Sequence, residues 1–126
     1  MLETEIREAY ENLRRALEET LEATIRHRRA KEALETAIAR GITTGEVAGK
    51  NAEEREAKAR SLYAELFQAL LEAEEVLTRA KFRLEAAKAR VREVETLVNL
   101  VGLTLPGTPR VHSGQEGGQT ESEVEP

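Results

Sequence analysis

The chain has no cysteine and no tryptophan. A disulfide framework and a thiolate zinc site are therefore excluded, and a reducing, intracellular location is the natural expectation. Aromatic residues make up 3% of the 126 positions, too few to build a face on which successive bases stack. No apolar run approaches the ~18 residues that a membrane span needs, and the opening MLETEIREAYENL is too acidic and too amphipathic for a signal peptide. The expectation is a soluble, cytoplasmic protein without a membrane partner. Histidine occurs only at His27 and His112, so no Ser/His/Asp or Cys/His set can be assembled. The many carboxylates sit among basic neighbours at helical spacing, in no arrangement that implies a pocket. We expect no catalytic residue, no cofactor, no metal and no small-molecule substrate, and hence not an enzyme.

What is present is Ala, Leu, Glu and Arg, with 34% of residues charged and a net charge of −5. This is the composition of long helices or coiled coil. From Leu2 to Arg40 there is no Gly or Pro, and alanine recurs every seventh residue at Ala9, Ala16, Ala23, Ala30 and Ala37. A second column, Ile6, Leu13, Thr20, His27 and Leu34, precedes each alanine by three, giving the alternation of a coiled-coil seam. Leu17, Leu21 and Ile25 lie beside it and widen the apolar face. A second ladder runs through Ala59, Tyr63, Leu66, Leu70, Ala73, Leu77, Ala80, Leu84, Ala87, Val91, Val94, Val98 and Val101. Small residues in one column of each ladder let two backbones approach closely.

Between the ladders lies GEVAGKNAEER, residues 45–55, whose Gly-Lys pair suggests a phosphate loop. That loop needs G-x-x-x-x-G-K-[ST] between a strand and a helix. Here the glycines are one residue too close, Asn51 stands where a hydroxyl should be, and a helix precedes the loop. The segment reads instead as a turn, with Gly41 stopping the first helix and Asn51 and Glu54 forming a capping box that starts the second.

The predicted fold class is all-α: two long helices in an antiparallel coiled-coil hairpin with an alanine-rich seam. The domain covers 1–105, with a helix over 2–40, a turn over 41–51 and a helix over 52–101. A Gly-, Pro- and Glu-rich tail over 106–126, His112 included, should be disordered. If Arg40 lies near Asn51, Glu3, Glu5, Glu8 and Glu11 run along Arg79, Lys81, Arg83, Lys88, Arg90 and Arg92. Glu72, Glu74 and Glu75 then fall opposite Arg14 and Arg15, and His27 comes level with Tyr63. The same register leaves Val91, Val94, Leu97, Val98, Leu100, Val101, Leu103 and Leu105 beyond the start of the first helix, an apolar overhang suited to forming a homo-oligomer.

Charge is unevenly spread. RHRRAK, residues 26–31, carries four cations and no acid, and from Arg26 to Arg60 nine basic residues face six acidic ones. The candidate nucleic-acid contacts are Arg26, Arg28, Arg29, Lys31, Lys50, Arg55, Lys58 and Arg60, which could follow a phosphate backbone. The alternative is that the run serves solubility or pairs with a neighbour's glutamates, without a nucleic-acid ligand. With the AGKNAEER turn and the apolar VETLVNLV helix end, this layout resembles the UvsY-like recombination mediators of bacteriophages. The resemblance covers residues 1–101 in shape. It implies a small helical protein that self-assembles, binds single-stranded DNA and helps to load a recombinase. The competing expectation is a structural coiled-coil adaptor or phage assembly protein with no DNA affinity.

Overall fold

In the computed structural model, residues 2–104 are described, with side chains to residue 102. They form three helices, α1 (Leu2–Thr44), α2 (Ala52–Leu62) and α3 (Ala64–Thr104), and no strand. The tail over 106–126 and Leu105 lie outside the described residues, as does the side chain of Leu103. The chain divides into two compact units. The larger is Asn12–Ala87, and the smaller takes the described residues up to Glu11 and from Lys88 onward.

The alanine columns are the buried ones. In the larger unit Ala16, Ala23, Ala59, Ala73 and Ala80 are at most 6% exposed. Leu34 and Val47 join them, and Leu13, Thr20, His27, Leu66, Leu70, Leu77 and Leu84 are half-buried. Glu19 pairs with Arg83 at 3.2 Å, the Thr20 hydroxyl reaches the Ala80 carbonyl at 3.3 Å, and His27 Nε2 lies 3.6 Å from Glu74. The α3 partner number falls as the α1 number rises. In the smaller unit Ala9, Val91 and Val94 are buried. There Arg90 meets Glu5 at 3.7 Å, and the Tyr10 hydroxyl donates to Glu95 at 2.6 Å. Acceptance by that carboxylate raises the Tyr10 pKa above its ordinary 10.0.

The turn differs from the sequence reading in a way that moves the register. Gly41 does not stop α1, which continues to Thr44. The stop is Gly45, at φ 86°, where only glycine is unstrained. Its N–H donates to the Ile42 carbonyl at 3.2 Å, and Val47 donates to Gly41 at 2.9 Å. Gly41 is glycine because a Cβ there would meet the Tyr63 hydroxyl and would come within 2.7 Å of Val47 Cγ2. Tyr63 therefore closes on Gly41 and not on His27, and Glu74, expected opposite Arg14 and Arg15, lies against His27. The pairing of Glu5 with Arg90 holds, whereas Arg83 meets Glu19. The physical reason is the longer first helix, which shifts the fold-back point toward the C-terminus.

The second helix is also not continuous over 52–101. Asn51 caps α2, its side chain accepting from the Glu54 N–H at 2.9 Å, and the Glu54 carboxylate accepts from the Lys50 N–H at 2.9 Å, one residue earlier than a capping box requires. At Tyr63 the backbone leaves helical geometry (φ −115°, ψ 38°). Even so, Tyr63 N–H still donates to Ala59 and Phe67 N–H to Tyr63, at 2.8 and 3.0 Å. The helix kinks at one residue and resumes as α3, which runs on to Thr104, past the expected end at 101.

The overhang shrinks accordingly. Val91 is 8% and Val94 1% exposed, and Val98 is half-buried, so the first part of that stretch is covered within the chain. Leu97, Leu100 and Val101 remain exposed.

Two stability predictions follow from this packing. Ala80→Leu adds volume where two backbones nearly touch and should destabilise by about 1–3 kcal/mol in urea unfolding; an unchanged midpoint would show that the seam is loosely packed. Gly41→Ala, which in an open helix would gain about 1 kcal/mol, should instead lose stability through Tyr63 and Val47. Tyr63→Phe should recover part of that loss, a coupling read from a double-mutant cycle.

Candidate nucleic-acid interface

All eight candidate cations belong to the larger unit and are exposed. They divide by environment. Arg55 donates to the Gly49 carbonyl at 3.2 Å. Arg60 pairs with Glu56 at 3.1 Å and lies over the Phe67 ring at 4.9 Å from its centre, a cation–π contact that holds the guanidinium along α2. These two help to organise the helix start and the kink. Lys50 sits in the turn, but its N–H is taken by Glu54. With Asn51 already on the Glu54 N–H, the α2 N-terminus carries its own acceptors, which weakens it as a place for an external phosphate.

The run on α1 is different. No ion pair among the described residues involves Arg26, Arg28, Arg29 or Lys31. Helical periodicity separates them into two rows, because residues three apart share a face and residues two apart do not. Arg26 and Arg29 form one row and, with Glu22 and Ile25, line a shallow open hollow. Arg28 and Lys31 form the other. A second shallow hollow on α3 is lined by Leu71, Glu74, Glu75, Thr78 and Arg79.

His27 sits in the seam, as its place in the heptad implies, but its partner is Glu74 and not Tyr63. Thr20, which the sequence offers only as a seam residue, bonds both its own helix, at Ala16, and the Ala80 carbonyl. A hydroxyl in a column otherwise made of Ile6, Leu13, His27 and Leu34 is the signal that could have pointed to this cross-helix bond. Among the rings, Phe67 lies under Arg60 and Tyr63 packs on Gly41, whereas Phe82 is 73% exposed.

Among the described residues no group of three or more His, Cys, Asp and Glu is placed to hold a metal ion, and no helix is long and apolar enough to cross a membrane. The arrangement offers point charges on a helix surface, chemistry suited to polyanions or to acidic protein faces. Comparison with known proteins finds no family model, no curated protein and no solved structure that matches this chain.

Proposed function

We propose that α1 and α3 run antiparallel, as a coiled-coil hairpin in the larger unit, and that the protein is a non-enzymatic, self-assembling accessory factor that binds single-stranded DNA through the turn half. The observation that carries this reading is the run Arg26, Arg28, Arg29 and Lys31: four exposed cations without an ion pair among the described residues, in a chain of net charge −5. The falling order of the contacts Glu19–Arg83 and His27–Glu74 supports the antiparallel sense. Desolvating unpaired guanidinium groups costs less when a phosphate replaces the lost water, and counterions released from the nucleic acid supply the affinity. On the resemblance in layout to UvsY-like mediators, we propose that such binding serves phage-type recombination or replication, in the cytoplasm of a bacterial host, with a recombinase as protein partner.

A second reading is a structural adaptor without DNA affinity. It is favoured by the engagement of Arg55 and Arg60 within the chain and by the exposed apolar Leu97, Leu100 and Val101, a surface suited to protein contact.

A labelled single-stranded oligonucleotide separates the two. In fluorescence anisotropy at low salt the protein should bind, with log affinity falling linearly against log salt concentration. Arg28→Glu combined with Lys31→Glu should weaken binding by at least about tenfold and flatten that slope. Binding that is absent at low salt, or indifferent to the double substitution, removes the DNA reading and leaves the adaptor.

A further inference from the structure

The contacts that fix the register in the larger unit also place two charge patterns at the same level on the outward surfaces of two helices. Glu19–Arg83 and His27–Glu74 bracket a stretch in which Glu22 is level with Arg79 and Arg26 with Glu75; one turn further, Arg29 is level with Glu72. Read along α1 the signs are minus, plus, plus; read down α3 at matching levels they are plus, minus, minus. All six side chains are exposed, and among the described residues none forms an ion pair. The patterns therefore complement each other but are not satisfied by each other.

We infer that they are satisfied by a second copy. A two-fold axis parallel to the helices, lying between two copies packed face to face, sets α1 of each copy against α3 of the other at equal level and in opposite direction. Glu22, Arg26 and Arg29 then meet Arg79, Glu75 and Glu72 of the second copy, and symmetry makes the contact twice, as a closed dimer requires. The two hollows described above lie on these surfaces, one carrying Ile25 between Glu22 and Arg26 and the other carrying Thr78 between Glu75 and Arg79. Any opposite pairing of two copies, α1 on α1 or α3 on α3 at equal level, sets Arg26 against Arg26 or Glu75 against Glu75, so like charge selects against it. The partner surface is thus defined by charge order, independently of the exposed apolar end of α3 and of whether DNA is bound.

The test uses two full-length variants, Arg26→Glu with Arg29→Glu and Glu72→Arg with Glu75→Arg. Each alone should dimerise at least about tenfold more weakly than the parent in sedimentation equilibrium, because the pairs between positions 26 and 75 and between 29 and 72 become repulsive at both symmetry-related contacts, leaving only Glu22 with Arg79 attractive. Mixed in equal amounts they should form a dimer again, since at one contact the acidic α1 of the first variant faces the basic α3 of the second and at the other the parental charge order is restored. Circular dichroism of each variant checks that the helices persist, and recovery on mixing also requires folded chains. A parent that stays monomeric, variants that assemble as the parent does, or a mixture that does not recover would each overturn the inference. Oligonucleotide binding by the Arg28/Lys31 variant reads the DNA proposal separately.

Discussion

Close approach of two backbones along columns of alanine is the constraint on which the other features depend. Ala16, Ala23, Ala73 and Ala80 are nearly inaccessible, and only at that separation can the Thr20 hydroxyl reach a carbonyl of the opposite helix. Alanine buries little area, so each layer contributes less hydrophobic free energy than a leucine layer would. Dispersion between close-packed backbones supplies part of the difference. A seam of small residues also has no room for large side chains, which leaves Leu17, Leu21, Leu71 and Phe82 on the outside. Specificity then has to come from groups that are not interchangeable along the seam: Thr20 on Ala80, His27 on Glu74, Glu19 on Arg83. Surface pairs of this kind add at most about 1 kcal/mol each. Their value lies in rejecting a slip of one heptad, which would cost all of them together.

The heptad ladders, the all-helical class and the Asn51 cap were legible in the sequence because each rests on a local or strictly periodic pattern. The register was not. It hangs on the length of the turn, and that hangs on which glycine ends α1. Gly41 looks like the stop because glycine is poor in a helix, but its reason for being glycine is a long-range one, the approach of Tyr63 and Val47. Gly45 carries the positive φ. A displacement of a few residues at the turn moves the cross-helix pairs of the larger unit, which is why His27 met the wrong expected partner, and it is also why Val91 and Val94 were counted as uncovered. The break at Tyr63 was illegible for the same reason, since the Tyr63 position in the ladder fits a continuous helix and only its packing partner tells against one.

The candidate interface shows the opposite failure, in which contiguity in sequence was taken for contiguity in space. Arg26 and Arg28 are two residues apart and point about 200° apart around the helix axis, so RHRRAK is two rows and not one patch. The spacing that separates the rows was available in the sequence at once.

Two rows also resolve a tension between the proposed nucleic-acid binding and the proposed self-assembly. If one undivided basic patch had to serve both, each phosphate contact would compete with the dimer, and DNA would dissociate the assembly that is meant to hold it. In the proposed dimer Arg26 and Arg29 are directed to the glutamates of a second copy, which leaves Arg28 with Lys31, on the other row, for the proposed contact with DNA. The acidic stretch Glu72–Glu75 would itself repel a nearby phosphate backbone if left bare, and covering it with cations of the neighbouring copy would reduce that repulsion. Dimerisation by charge order would therefore favour DNA binding without contributing a single contact to the DNA. The coupling is electrostatic, so it should fade as salt screens both steps within a Debye length of about 10 Å at 0.1 M.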